Sequence, residues 1–375
     1  MEESTDEKIT IIMVLMLFLA SNPIAKAEEI SYNEMQYRLK VGTDIYSGKM
    51  KVPEVIPEAS TAYKCKGDLN QEEQAQTIFS ILLDSEEEVK HVKNNDGNAT
   101  YFTGDFPYKN GYALDFMGET VNYFFRREEI NQYWQVEASV YTIDDNYKYS
   151  DNITRVYHSP DVKWRETPEV KNTGFEKQIE TLFDILKRIG INFGNIETLA
   201  YWDSETLSRN FEKIKSTNDK EGSLNMGISP CIMVRMPVYI NELPLQENSA
   251  WGGVNSNIVQ PTCKIEAYAT EERLIYFSIT GNVGNLTPIS DKRRLLTTEE
   301  IIKNYEVYLD KLLGVPDEMK SIACIRPEYR MWYEYKEGVF DPDIYLEPVW
   351  AIYGSQSFDY PIAVFDAFDG ELISW

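Results

Sequence analysis

Apolar residues recur along the chain with two different spacings, and these separate strands from helices. The clearest two-residue alternation is Trp134, Val136, Ala138 and Val140, interleaved with Gln135, Glu137 and Ser139. That is the pattern of a half-buried antiparallel strand. Strand-like runs also cover residues 112–127, 231–245, 262–269, 274–283 and 321–335. In the last stretch, Tyr345 to Trp375, two aromatic-rich runs flank a polar loop, and Asp369-Gly370 marks a turn before a short return strand. Trp350, Tyr353, Ile362, Val364 and Phe365 are residues of the kind a sheet buries against helices.

Helical spacing appears in Ala75, Ile78, Phe79 and Leu82, behind Asn70 as cap and Glu73 at the capping-box position. It returns in Phe175, Ile179, Leu182, Phe183, Leu186 and Ile189, with Thr173-x-x-Glu176 in front and Gly190 as the stop. A third stripe, Ile301, Tyr305, Leu309 and Leu312, follows Thr297-x-x-Glu300 and ends at Gly314, with Pro316 beyond. A shorter one, Leu207, Phe211 and Ile214, predicts a helix over 204–215. Each of the three capped helices is followed by strands. This predicts an α+β fold of antiparallel sheets with helices packed on one face. The polar, Tyr-rich stretch 144–161 places a boundary near Pro168, giving two tandem domains, 28–168 and 169–375.

Residues 1–27 read as a signal peptide: Ile9 to Ala20 is apolar but short for a membrane span, and Ala25-Lys26-Ala27 is an A-x-A cleavage pattern. Glu2, Glu3, Asp6 and Glu7 depart from the basic start of such peptides. An uncleaved anchor or a buried apolar element are the alternatives. Ser21 stands after Leu17-Phe18-Leu19-Ala20, where a lipoprotein carries cysteine.

The net charge of −24 leaves no basic surplus for phosphates or an anionic membrane surface. It excludes the usual nucleic-acid-binding classes, and 43% hydrophobic content is ample for a large core. Export would allow Cys65, Cys231, Cys263 and Cys324 up to two disulfides, with small buried thiols as the alternative. Their spacing fits no zinc motif, and the two histidines, His91 and His158, are far apart. No metal, cofactor or catalytic residue is predicted. Paired acids such as Asp341 with Asp343, or Asp366 with Asp369, would suit a hydrolase if about 5–10 Å apart across a cleft. Asp366, Asp369 and Glu371 are also oxygen ligands of the type Ca²⁺ takes, and solvated turn acids are the plainer reading. Among the aromatics, Trp251 lies in a Gly-, Asn- and Ser-rich loop, residues 246–257, with Asn255, while Tyr333 sits in the Tyr329–Tyr335 cluster. Trp251, Asn255 and Tyr333 are the candidate ligand or partner contacts.

Five segments in order carry a resemblance: Arg235–Pro244 (RMPVYINELP), Glu272–Leu286 (ERLIYFSITGNVGNL), Leu295–Asn304 (LLTTEEIIKN), Tyr345–Gly354 (YLEPVWAIYG) and Pro361–Ile373 (PIAVFDAFDGELI). The C-terminal part resembles a family of exported Gram-positive proteins, mostly lipoproteins, and is similar to extracytoplasmic regulators of the YycH/YycI type and to PepSY-like modules. The resemblance implies sensing or regulation outside the membrane and supplies no catalytic residues. The expected function is therefore an exported, non-enzymatic binding or regulatory protein of the cell envelope whose partner is an envelope protein or surface polymer. A carbohydrate-binding protein using exposed aromatics comes second and a hydrolase third. On this reading secreted material begins near Glu28, which N-terminal sequencing checks; Met1 intact on cytoplasmic protein would contradict it.

Overall fold

The computed structural model describes residues 31–67, 70–83, 88–93, 98–104, 111–125, 155–157, 174–202, 204, 229–247, 257–334, 336, 342–355 and 361–374. The signal peptide expected at 1–27, the strand expected at 133–143 and nearly all of the helix expected at 204–215 lie outside them.

The architecture is α+β and dominated by antiparallel sheet. In chain order the elements are β1 (Tyr32–Val41), β2 (Asp44–Pro53), β3 (Ala59–Ser60), β4 (Tyr63–Gly67), α1 (Gln71–Leu82), β5 (Lys90–Lys93), β6 (Ala99–Phe102), β7 (Tyr112–Met117), β8 (Thr120–Phe125) and β9 (Arg155–Tyr157). Then follow α2 (Glu176–Arg188), β10 (Thr198–Trp202), β11 (Cys231–Met236), β12 (Tyr239–Ile240), β13 (Leu243–Pro244), β14 (Ile258–Val259), β15 (Ile265–Thr270), β16 (Leu274–Thr280) and β17 (Val283–Pro288). The chain closes with β18 (Arg293–Arg294), α3 (Thr298–Asp310), β19 (Ile322–Glu334), β20 (Ile344–Gly354), β21 (Pro361–Asp366) and β22 (Leu372–Ser374).

Two nine-stranded sheets hold most of these. The first runs β1-β2-β19-β20-β21-β22, with β14 added to β19, β4 to β20 and β17 to β4. The second runs β5-β6-β7-β8-β16-β15-β11-β10-β9. Neither sheet divides at residue 168. β8 pairs with β16, setting Val121 opposite Ile279, and β2 meets β19 at Lys51 and Cys324. Apolar strand faces match across the whole chain, so both halves build both sheets. The single strand expected over 112–127 is a hairpin. Gly118, with φ +56, takes the left-handed turn position that an L side chain rarely adopts, and the chain reverses there.

α3 starts as its sequence requires. The Thr297 hydroxyl accepts from the Glu300 amide, and the Glu300 carboxylate accepts from the Thr297 amide at 2.7 Å, a complete capping box. α1 and α2 start within three residues of their expected caps but without a side-chain cap bond. Their apolar stripes, including Ile78 and Phe79 of α1 and Ile179 and Leu182 of α2, are buried with strands of the second sheet in one large core. That core also takes Tyr329 and Met331 of β19 and Ile344 and Leu346 of β20. A second core joins Ile301, Tyr305 and Leu309 of α3 to Leu39, Met50, Ile325, Trp350 and Phe365 of the first sheet. All four cysteines are buried thiols and none forms a disulfide.

Trp350 is wholly inaccessible at the centre of the second core. Trp350→Ala leaves a cavity among α3, β19 and β21 and is expected to cost about 3–5 kcal/mol, read as a shift in the urea unfolding midpoint.

Candidate ligand-binding face

β19 is long enough to cross both cores, and its sequence, IACIRPEYRMWYE, has two unlike faces. From Cys324 onward side chains alternate, because successive residues of a strand point to opposite sides. Ile325, Tyr329, Met331 and Tyr333 fall on the core side, and Arg326, Glu328, Arg330, Trp332 and Glu334 on the other. The antiparallel register with β20 sets Ala351 beside Arg326, Val349 beside Glu328, Glu347 beside Arg330 and Tyr345 beside Trp332. β4 extends the row, with Lys64 opposite Tyr345. On this face the β19 row from Arg326 to Glu334 is therefore charged and aromatic, with apolar Val349 and Ala351 of β20 beside its first part.

Its deep end is closed. Arg326 is 2% exposed and Glu328 not at all. Arg326 Nε donates to Glu328 Oε1 at 2.5 Å, and the Tyr353 hydroxyl donates to the same oxygen at 2.7 Å. Arg326 Nη1 donates to the Tyr32 hydroxyl at 3.2 Å and to Glu197 Oε1 at 3.4 Å. The guanidinium also lies over the Tyr353 ring, 5.4 Å from its centre. Burial opposes the charge on Arg326, but Glu328, Tyr32, Tyr353 and Glu197 outweigh it and hold the guanidinium protonated. Burial pushes the Glu328 carboxyl above the ordinary range despite Arg326 and the Tyr353 hydroxyl. Glu328 Oε2 is buried without a hydrogen-bond partner among the described residues, which accords with that direction. The Tyr32 and Tyr239 hydroxyls are likewise raised, first by burial.

The other end is open. Arg330 and Glu347 are half-buried cross-strand partners. Burial lowers the Arg330 pKa and raises that of Glu347, and each charge opposes the shift of the other. Gln260, with its carboxamide oxygen turned toward the guanidinium, accepts from Arg330 Nε at 3.0 Å and from Nη2. The next row is a stacked aromatic pair, Trp332 on Tyr345, with centroids 4.6 Å apart and planes at 19°. Beyond it Asp343 bridges Lys64 at 2.6 Å and Lys66 at 3.4 Å. Lys64 holds the Asp343 carboxyl below its ordinary range, chiefly by hydrogen bonding. Rigid strands thus present a flat aromatic pair between two sets of paired charges, suited to holding a polar ligand.

The residues expected from sequence are distributed differently. Tyr333 is half-buried on the core side of β19, packed against the large core and facing away from Trp332. Burial, followed by Glu119, raises its hydroxyl pKa. Trp251 and Asn255 lie outside the described residues, but both ends of their loop are anchored along β19. The Gln246 amide donates to the Tyr329 carbonyl at 2.9 Å, and Ile258 pairs with Glu334. Asp343 is engaged by lysines and Asp341 is not described. Asp366 Oδ1 accepts from the Phe368 and Asp369 amides and Asp369 Oδ1 from that of Glu371, so these acids shape the final turn. Among the described residues no group of three or more His, Cys, Asp or Glu is placed to hold a metal. His91, on exposed β5, stacks against Tyr101 at 5.8 Å. Sequence reading missed Arg326, Glu328, Arg330 and Glu347. The signal that marks the first three is the alternation Arg-x-Glu-x-Arg-x-Trp-x-Glu over 326–334, and Glu347 enters only as the cross-strand neighbour of Arg330.

Arg326→Met strands Glu328 as a lone buried carboxyl and is expected to cost about 3–5 kcal/mol at neutral pH. The loss should shrink in acid. Without Arg326 the folded-state pKa of Glu328 rises further, so the folded chain binds a proton that the unfolded chain releases near the usual 4.5. Stability is then greatest below that value and falls as pH rises above it. Urea melts of the parent, Arg326→Met and Arg326→Met/Glu328→Gln over this range check the sign, and the double variant should show the weaker pH dependence.

No protein-family model and no curated protein matches the chain. Among solved structures it is similar to an uncharacterized protein from Eubacterium rectale, with 11% sequence identity and a TM-score of 0.52, over 91% of this chain and 93% of that one. A likeness of this kind bears on the fold alone.

Proposed function

We propose that this is a non-enzymatic binding or regulatory protein of the cell envelope, acting outside the membrane. It meets an envelope protein or surface polymer on the open end of the charged face. The observation that carries this reading is the half-buried row Lys64–Tyr345–Trp332, flanked by the Asp343 and Arg330–Glu347 charges on neighbouring strands. Each charge there already has an intramolecular partner, an arrangement that favours holding a ligand by shape and hydrogen bonding over transferring a proton to it. The reading places the helices on one face of this sheet and leaves the charged face to the ligand. The likeness to YycH/YycI-type and PepSY-like modules points to the same extracytoplasmic role.

A carbohydrate is the second reading, favoured by the stacked Trp332–Tyr345 pair, since flat aromatic surface suits a sugar ring. Titration of the purified chain against a partner captured from envelope extracts, and against glycan arrays, separates the two. Lys64→Ala changes a 41% exposed side chain and should leave the melting temperature nearly unchanged. Together with Tyr345→Ala it should weaken the captured ligand by about 1–4 kcal/mol. Unaltered binding by both variants would remove the ligand from this face.

A further inference from the structure

β1 forms one edge of the first sheet and pairs on its inner side with β2 in an unbroken register from Tyr32–Pro53 to Val41–Asp44. The direction of its backbone groups follows from two contacts. The Ser31 carbonyl accepts from the Glu54 amide, so odd-numbered residues face β2. The Lys40 amide instead donates to Glu306 of α3, so even-numbered residues face outward. Among the described residues no strand pairs with the outward groups of Glu34, Gln36 and Arg38. β1 contains no proline and no bulge, the usual devices that blunt an edge.

We propose that the outer edge of β1 is a strand-addition site for an acidic, extended segment of a partner protein. Charge selects this occupant. The side of the hairpin away from α3 carries Arg38, Lys40, Lys49 and Lys51 against the single carboxylate of Glu34, in a chain whose net charge is −24. Glu34 is itself paired with Lys49 at 2.7 Å. The fold fills two positions at the end of this hairpin with carboxylates of its own. Glu306 takes the Lys40 amide, and Asp310 takes the Gly42 amide at 2.6 Å. An added strand supplies main-chain carbonyls to the Gln36 and Arg38 amides, and its acidic side chains reach the basic side. A second copy fits less well. A two-fold axis at Gln36 sets Glu34 against Arg38, but it also brings two basic faces onto one side of the sheet and two strongly negative chains together.

The test uses the full chain with two labelled peptides of strand length, one alternating Glu with Val and the other Lys with Val, read by fluorescence anisotropy. The acidic peptide should bind and the basic one should not. Gln36→Pro removes only an outward amide and should keep the fold while weakening binding about tenfold or more. Arg38→Glu/Lys49→Glu should do the same, and it decides the matter if the proline variant does not fold. The proposal is overturned if the parent fails to bind the acidic peptide or binds both peptides alike. It also fails if folded variants bind undiminished, or if sedimentation shows a parent dimer that Gln36→Pro converts to monomer, which assigns the edge to a second copy.

Discussion

The Arg326–Glu328 pair makes the greatest demand on its surroundings. Two opposite charges removed from water lose several kcal/mol of hydration each, and only close geometry with further hydrogen bonds restores it. Here those bonds come from separate parts of the chain: Tyr32 at the start of β1, Glu197 just before β10, and Tyr353 near the end of β20. Tyr32 and Glu197 belong to regions dominated by different sheets. A displacement of either sheet therefore breaks one of the further contacts of Arg326, while its bond to Glu328, two residues along the same strand, is kept. The bonds that reach the pair from other segments thereby disfavour displaced arrangements of the sheets.

The strand that holds this pair also joins the two cores. On its core side, Ile325 packs with α3, and Tyr329 and Met331 pack with the core that contains α1 and α2. On the opposite side, the same alternation lines up charges that run from fully buried to half-exposed. This gradient is the physical basis for separating roles along one face. At the buried end a low dielectric strengthens every electrostatic contact and fixes the side chains. At the open end water screens Lys64 and Asp343, whereas Arg330 and Glu347 are half-buried and still feel their burial.

Local signals in the sequence match the structure at several points, although the caps expected for α1 and α2 make no side-chain bond. The Thr297–Glu300 box starts α3, Gly190 with φ +81 ends α2, and the Asp369-Gly370 turn returns the last strand. The strands expected at 262–269 and 274–283 pair as β15 and β16, with Glu271-Glu272 in the turn between them. Strand partnership did not show, because it depends on matching faces far apart in the chain. Tyr32 and Arg326 are 294 residues apart and Glu197 and Arg326 are 129 apart, and no window of sequence contains either contact. Trp332 and Tyr333 are adjacent in sequence, yet strand geometry sends them to opposite sides. Only the alternation over 326–334 separates them.

An alternating strand needs nothing more than apolar residues on one face and anything soluble on the other to join a sheet. Arg326 and Glu328 exceed that requirement, since well-packed apolar residues at such positions are often as stabilising. They stand on the face that carries Trp332 and Tyr345, and not on the core side. A buried ion pair, held by bonds from three other segments, fixes β19 and β20 rigidly in register. Side chains two and four residues further along β19, Arg330 and Trp332 counted from Glu328, inherit that rigidity. On the function proposed above, a ligand meeting the stacked pair encounters a preorganised surface, and less of its binding free energy is lost to ordering side chains.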